Sequence, residues 1–245
     1  IGGAICGLDK KTGREIWRQE RPKIPNYTTP VVVEAAGRLQ MVFCGCELIT
    51  SLDPLTGKKL WEIPGSTQEC VSTLVTDGTH IFISGGWPKN HTAAIVADGS
   101  GKVAWQNTAR IYVPSMLIRD GFLYVTMDAG FAICWNAETG ARLWEHTFSV
   151  TNTTVPFNRV GWGSVTGDPE TGYLYAMNID GHLNAFDRDG VIVIPPALVE
   201  EVVDAALAQE EEDAWIAEQV AAGHPVDGLF PMNAQWRARY EEQRS

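Results

Sequence analysis

The feature that most constrains this chain is a turn followed by a tryptophan, which recurs four times. In each copy a glycine lies four residues before the tryptophan, and successive tryptophans are separated by 44, 44 and 39 residues. The shared positions are Asp9, Gly13 and Trp17; Asp53, Gly57 and Trp61; Asp98, Gly101 and Trp105; Asn136, Gly140 and Trp144. A period of about 40–45 residues is typical of propeller blades, each built from four strands.

The residue types of the turn have a direct physical reason. An Asp or Asn side chain can accept hydrogen bonds from the backbone two residues further on, and glycine tolerates the positive φ that closes a tight turn. A tryptophan on the following strand offers a large flat surface against which the next blade can pack. These positions are therefore predicted to hold the fold together and to take no part in catalysis.

Between the turns, short apolar runs and period-two alternation are bounded by Gly, Pro and Asp, which predicts four strands per repeat. The first full repeat predicts strands at 29–33, 38–43, 47–52 and 59–63. The second predicts strands at 71–76, 81–84, 93–96 and 103–106, and the third at 115–118, 122–127, 131–135 and 142–146. Residues 1–20 supply the last two strands of one blade, and residues 161–186 about three strands of a fifth. The predicted fold class is mainly β, with a partial or small β-propeller of four-stranded antiparallel blades over residues 1–190.

From residue 191 onward the periodicity changes from that of strands to that of helices. Residues 191–194 form a strand-like run, and two prolines then precede an apolar stripe at helical spacing from Leu198 to Leu207. Gly223 is predicted to end this helix and Asn233 to begin a second, shorter one. Residues 191–245 are thus predicted to form a separate helical tail, and they carry −8 of the net charge of −11.

The Asp/Asn-x-x-Thr-Gly-x-x-x-Trp pattern at Asp9, Asp53 and Asn136 resembles the repeat of the pyrroloquinoline-quinone-like (PQQ-like) β-propeller family over residues 1–190. Members of that family that bind the quinone offer vicinal cysteines, a stacking tryptophan and carboxylate or amide ligands for calcium. This chain has no Cys-Cys pair and no assembled calcium set, so no cofactor is predicted. Other members are binding scaffolds, including in outer-membrane assembly, and the resemblance implies that class: a non-catalytic binding or scaffold protein, periplasmic or secreted.

The string from Asp187 to Val202, with Gly223 and residues 227–231, resembles the C-terminal end of a second family. That family is the regulator-of-ribonuclease-activity-like group, which includes 4-hydroxy-4-methyl-2-oxoglutarate aldolases. There this element packs at subunit contacts, and the catalytic metal site lies upstream. The resemblance implies a mosaic chain or a fragment, joined near residues 187–190, and a cytoplasmic location as the alternative. The alternative functions are a quinoprotein-type oxidoreductase fragment and an aldolase or ribonuclease regulator.

The candidate contact surface is the loop that contains Trp87, Lys89, Asn90 and His91, because loops on one rim of a propeller commonly carry binding. None of the five histidines lies at metal-ligand spacing with another ligand, so neither a metal site nor a catalytic residue is predicted. Cys44-Gly45-Cys46 lies in a strand-like run, where alternation places both thiols on one face. They are interpreted as two small buried apolar residues rather than as metal ligands.

The composition of the chain limits the kinds of partner that it can bind. A chain with a net charge of −11 gains nothing from counterion release on DNA or RNA, so nucleic acid is excluded as a partner. No apolar run approaches the roughly 20 residues that span a bilayer, so no transmembrane segment is expected. The predicted partner is a protein, and self-association through open blade edges or through the helical tail is the other predicted contact.

Overall fold

The computed structural model describes residues 3–148, 163–194 and 196–244. The chain divides into two compact units, residues 1–193 and 194–245. In its described residues the first unit consists of five antiparallel sheets that follow one another along the chain, which we number blades 1 to 5. Blade 1 has two strands and blades 2–5 have four each, paired in the order of the sequence. This is the predicted mainly β architecture of four-stranded blades.

The strands are bounded as follows. Blade 1 contains β1 (Gly3–Leu8) and β2 (Glu15–Arg21), and blade 2 contains β3 (Val31–Ala35), β4 (Arg38–Gly45), β5 (Leu48–Leu52) and β6 (Lys59–Pro64). Blade 3 contains β7 (Val75–Thr76), β8 (His80–Gly85), β9 (His91–Val96) and β10 (Val103–Asn107). Blade 4 contains β11 (Leu117–Arg119), β12 (Phe122–Met127), β13 (Phe131–Asn136) and β14 (Arg142–Thr147). Blade 5 contains β15 (Thr166–Gly167), β16 (Leu174–Met177), β17 (Leu183–Phe186) and β18 (Val191–Ile194).

Burial follows the position of a strand within its blade. The middle strands β4, β8 and β13 are buried over nearly their whole length, whereas the outermost strand β14 is only half-buried at every second residue. A middle strand lies between two neighbouring blades, so both of its faces exclude water and both favour apolar side chains. Blade-to-blade packing therefore supplies the core of this unit.

The first strands of blades 3 and 4 are shorter than the sequence predicts. They begin at Val75 and Leu117, although the apolar pattern starts near residues 71 and 115. The residues before β7 form hydrogen bonds with the segment before β11 instead of pairing with an adjacent strand. The Ser72 hydroxyl donates to the Ile111 carbonyl at 3.1 Å, and the Thr73 N–H donates to the Ser115 hydroxyl at 3.1 Å. Strand β7 contacts both β3 and β11, so the first strands of consecutive blades lie side by side.

Blade 5 has a fourth strand that the sequence analysis placed in the tail. The run Val191–Ile194 forms β18, because the Asp187 N–H donates to the Gly190 carbonyl at 3.1 Å and closes a hairpin after β17. Ile194 occupies the place of the repeat tryptophan and is 8% exposed. The predicted first strand at 161–165 falls partly outside the described residues. The sequence also departs from the blade rhythm near residues 148–160, which predicts a second join, and nearly all of this segment lies outside the described residues as well.

The second unit contains the two predicted helices, α1 (Val199–Ala221) and α2 (Ala234–Arg244), after a 3-10 turn at Pro196–Leu198. Gly223 ends α1 with a φ of +92°, the left-handed conformation that favours glycine. The Asn233 side chain accepts the N–H groups of Gln235 and Trp236 at 3.1 and 3.0 Å, which caps α2 as expected. Neither of these helices is both long enough and apolar enough to cross a membrane.

Aromatic side chains join the two helices of this unit. The Trp215 ring lies edge-on to the Tyr240 ring at a centroid distance of 5.3 Å, and the Arg237 guanidinium pairs with the Glu212 carboxylate. The apolar stripe at the start of α1 is exposed, with Leu207 at 58%. Self-association through this stripe or through blade edges stays a prediction, as does the division into folding domains at 1–190 and 191–245.

Candidate functional site

Each repeat tryptophan packs on the turn of the following blade. Its indole N–H donates to a backbone carbonyl of that turn: Trp17 to Pro54 at 3.3 Å, Trp105 to Ala137 at 2.7 Å and Trp144 to Asp187 at 3.0 Å. Trp61 differs, because its indole N–H donates to the side-chain Oε1 of Gln40 in its own blade at 2.9 Å.

The turn glycine lies against the tryptophan ring of the preceding blade. A Cβ added at Gly57 would come within 2.5 Å of the Trp17 ring, and one at Gly140 within 2.6 Å of the Trp105 ring. Both glycines have a φ near +70°, which side-chain-bearing residues rarely adopt. Gly13 has the same φ of +71° but nothing within 4 Å of an added Cβ, since blade 1 is the first of the five. Glycine is therefore needed at this position of the motif for two reasons: the turn has a positive φ, and the tryptophan ring leaves no space for a side chain.

The turn of blade 3 is one residue shorter than its equivalents. The glycine against the Trp61 ring is Gly99, whose added Cβ would lie 2.6 Å from the ring, whereas Gly101 lies beside Ile63. The spacing of Gly101 to Trp105 identifies the hairpin correctly, but the shorter turn brings a different glycine to the neighbouring blade.

The Asp or Asn side chain that opens each turn accepts hydrogen bonds from the turn itself. Asp53 Oδ1 accepts the N–H groups of Leu55 and Thr56 at 2.8 and 2.9 Å, and Asn136 Oδ1 accepts that of Thr139 at 2.9 Å. The N–H groups of Thr56 and Leu55 hold the pKa of the Asp53 carboxyl below its usual value of 3.8.

The substitution Asp53→Asn is expected to reduce the loss of stability in acid. Because the folded-state pKa of Asp53 is lowered, its carboxylate stabilises the fold above the unfolded-state pKa, and this contribution disappears as the pH falls through the folded-state value. An asparagine accepts the same N–H groups without titrating, as Asn136 does. Urea unfolding at about pH 7 and about pH 2.5 should show a smaller difference for the variant than for the wild type. Equal differences would contradict this account.

The candidate contact loop forms one wall of a cleft between blades 2 and 3. The cleft has a volume of about 370 Å³, and Lys89, Asn90 and His91 line it on the blade 3 side. Trp87 precedes these residues in the loop and its side chain is 57% exposed, but it is not among the residues that line the cleft. The facing wall comes from residues that sequence analysis did not single out: Glu47, Pro64, Gly65, Ser66, Thr67 and Gln68.

The blade 2 wall is built on a left-handed turn. Cys46 and Glu47 have φ values of +58° and +64°, and their N–H groups donate to the carbonyls of Gln68 at 2.7 Å and Thr67 at 3.1 Å. The strand alternation predicted through Cys44 and Cys46 therefore stops at Gly45, where β4 ends. Both cysteines are nevertheless buried, as interpreted from the sequence.

The two walls are joined at their base by hydrogen bonds. The Glu69 N–H donates to the Trp87 carbonyl at 3.1 Å, and the Thr67 hydroxyl donates to the same oxygen. The Tyr112 hydroxyl donates to the Glu69 carboxylate at 3.1 Å. Burial, with the Glu69 carboxylate as the second cause, raises the pKa of Tyr112, so its phenol remains a donor. These hydrogen bonds fix the two walls of the cleft relative to each other.

The chemistry of the cleft is that of polar recognition. Gln68 Nε2 donates to the Glu47 carboxylate at 3.2 Å, whereas the Lys89 ammonium forms no ion pair with any described residue. Across residues 3–148, 163–194 and 196–244, no group of three or more His, Cys, Asp or Glu side chains is arranged to hold a metal ion. The cleft thus offers one ammonium group, one carboxylate, an imidazole, amides and hydroxyls.

A family model matches nearly the whole chain. The model described as outer membrane protein assembly factor BamB matches residues 1–146 and 89–229. Curated proteins, by contrast, give no match to this sequence. The predicted resemblance of the tail to the aldolase group receives no support, and the family match continues into the tail as far as residue 229.

Solved structures show a similar fold. BamB from Moraxella catarrhalis has a TM-score of 0.58 and 16% identity, over 79% of this chain and 57% of that one. A chain of the mitotic checkpoint complex has a TM-score of 0.58 and 14% identity, over 79% of this chain and 59% of that one. A europium-containing methanol dehydrogenase has a TM-score of 0.53 and 10% identity, over 78% of this chain and 47% of that one. The chain spans less than two thirds of each, and the likeness concerns the fold.

Proposed function

Because the chain belongs to the family of the outer membrane protein assembly factor BamB, we propose that it is a non-catalytic binding protein of the PQQ-like repeat class. Its partner is a protein of the cell envelope, and its location is the periplasm, in keeping with the family's description. The observation that carries the proposal is the preformed cleft between blades 2 and 3, lined by polar side chains from both blades.

The properties of the cleft favour an extended segment of polypeptide as its occupant. Its volume of about 370 Å³ is small, and it lies between loops rather than inside a blade. Lys89 and Asn90 on one wall and Glu47 and Gln68 on the other supply donors and acceptors for peptide groups and charged side chains. The same loop carries the exposed side chain of Trp87, and tryptophan is a residue that often carries much of the binding energy at protein interfaces.

A photo-cross-linking residue at position 89 is expected to capture an outer-membrane protein or a component of its assembly machinery in living cells. Lys58 is the matched control, because it is also an exposed lysine but follows the β5–β6 turn, at the opposite end of the strands from the β4–β5 turn. Trp87→Ala should weaken the adduct at position 89, because it removes the apolar anchor. Equal capture at positions 58 and 89, or capture of no envelope protein, would contradict the proposal.

A quinoprotein-type oxidoreductase is the main alternative within this repeat class. Such a site would need calcium ligands gathered beside a stacked quinone, and the described residues do not gather three His, Cys, Asp or Glu side chains anywhere. Addition of pyrroloquinoline quinone and calcium to the purified chain should leave its visible absorption equal to that of the free quinone. A new stoichiometric absorption band would replace the binding proposal with the enzymatic one.

A further inference from the structure

Two buried thiols lie behind the blade 2 wall of the cleft. Cys44 is at the end of β4, and Cys70 is in the segment that leads from β6 to β7. They are 0% and 1% exposed and belong to the same hydrophobic cluster. Each thiol influences the ionisation of the other, although the two cysteines are 26 positions apart in the sequence.

One side chain fixes the backbone of both cysteines. Asn26 Nδ2 donates to the Cys44 carbonyl at 2.8 Å, and Asn26 Oδ1 accepts the Cys70 N–H at 2.9 Å. This approach depends on Gly45, since a Cβ there would come within 2.1 Å of the Asn26 amide. The fold therefore holds the backbones of the two cysteines next to each other, on either side of one amide group.

The remaining cysteines have other surroundings. Cys6 is exposed in blade 1, Cys134 lies in the cluster between blades 4 and 5, and Cys46 Sγ faces the Ile24 carbonyl at 3.8 Å. Cys70 Sγ lies 3.2 Å from the Ser66 hydroxyl, and Ser66 lines the cleft. One hydroxyl thus separates the thiol pair from the cleft.

We propose that Cys44 and Cys70 are a redox pair that closes to a disulfide in an oxidising compartment. The disulfide would tie the end of β4 to residues 65–70 and so fix the blade 2 wall of the cleft. The oxidant is a disulfide of the glutathione class. The Cys70 thiolate attacks one of its sulfur atoms, its S–S bond breaks, and one thiol leaves. Cys44 sulfur then attacks Cys70 sulfur and releases the second thiol.

The electrons and protons of this exchange balance. Two electrons pass from the two cysteines to the oxidant, and the two thiol protons end on the two released thiols. Cys70 is the first nucleophile because the neighbouring Cys44 thiol, and then the Ser66 hydroxyl 3.2 Å from Cys70 Sγ, lower the pKa of Cys70. The interaction with Cys70, together with burial, raises the pKa of Cys44.

The test is to refold the full chain in a glutathione redox buffer and then count the free thiols. Refolding is used because the oxidant can reach both cysteines before they become buried. In a Cys6→Ser background the chain has four cysteines, and we expect two of the four thiols to be lost. Peptide mapping should place the new bond between residues 44 and 70. The oxidised protein should also unfold at a higher temperature than the reduced one.

Two controls make the outcome decisive. Cys134→Ser should not change the loss of two thiols, whereas Cys70→Ser should abolish it. If Cys70→Ser does not fold, the mapped bond in the Cys6→Ser protein decides alone. Four remaining thiols, a bond from Cys46, or a stable glutathione adduct at Cys70 would each overturn the proposal. None of these readouts depends on the cleft binding a partner.

Discussion

Replacement of Trp61 by alanine is expected to lower the free energy of unfolding by about 3–5 kcal/mol. Trp61 is 8% exposed, and its ring packs against Gly99 in the turn of blade 3. It belongs to the cluster that joins blades 2 and 3, so its loss leaves a cavity between two blades rather than at an edge. Loss of apolar burial and formation of a cavity act in the same direction.

A buried hydrogen bond to Gln40 makes the substitution of Trp61 more destabilising than the loss of its buried apolar area alone would predict. Gln40 is 0% exposed, and its Oε1 accepts both the Trp61 indole N–H at 2.9 Å and the Ser51 hydroxyl at 2.8 Å. Trp61→Phe keeps most of the packing and removes one donor, so we expect a loss of about 1–3 kcal/mol. Urea unfolding followed by circular dichroism measures both variants.

Trp87→Ala is the matched control for this prediction. The Trp87 side chain is 57% exposed, so the same substitution should change the free energy of unfolding by no more than about 0.5 kcal/mol. Trp61→Ala should thus lose stability, and Trp87→Ala should lose only capture of the partner. A destabilisation of equal size at both positions would show that the repeat tryptophan has no special structural role.

The second large effect concerns the turn glycines. Gly13→Ala is expected to destabilise by about 1–2 kcal/mol, because only the left-handed conformation is strained there. Gly140→Ala has the same strain at a φ of +70° and also forces a methyl group into the Trp105 ring. Overpacking adds about 1–3 kcal/mol, so the total loss should reach about 2–5 kcal/mol. Equal losses at the two glycines would contradict the packing of a turn on the preceding blade.

Much of this architecture could be predicted from the sequence, because the same turn-and-tryptophan pattern recurs in four copies. The tryptophan spacing predicts the blades, and the period-two runs predict strands such as Phe122–Met127, which the structure shows with the same bounds. The two helices and the cap at Asn233 also follow from local signals. These elements could be predicted because each strand, helix and cap depends on a few residues that are adjacent in the sequence.

Where the structure differs from the predictions, the difference arises from contacts between segments that are distant in the sequence. Val191–Ile194 reads equally well as the start of a tail, and its pairing into blade 5 depends on the hairpin at Asp187. The glycine beneath Trp61 could not be identified, because a shorter turn moves Gly99 into the place expected for Gly101.

The candidate site was predicted only on one side. The loop with Lys89, Asn90 and His91 stood out by its composition, whereas Ser66 and Gln68 have no distinctive pattern. Strand order alone could have placed them on the same rim, since β6 ends on the side of blade 2 that carries the β4–β5 turn, and that turn is equivalent to the β8–β9 loop of blade 3. The thiol pair was hidden for a similar reason, because Cys70 is near Cys44 only in the folded chain.

A double-mutant cycle between Trp105 and Gly140 tests most directly whether blades are joined by a tryptophan lying on the next turn. In a Trp105→Ala background the ring is absent, so Gly140→Ala should destabilise only by the backbone strain of about 1–2 kcal/mol, as at Gly13. The coupling free energy should therefore be about 1–3 kcal/mol. If Gly140→Ala destabilises the Trp105→Ala protein as strongly as the wild type, the two residues are independent and the proposed packing between blades is wrong.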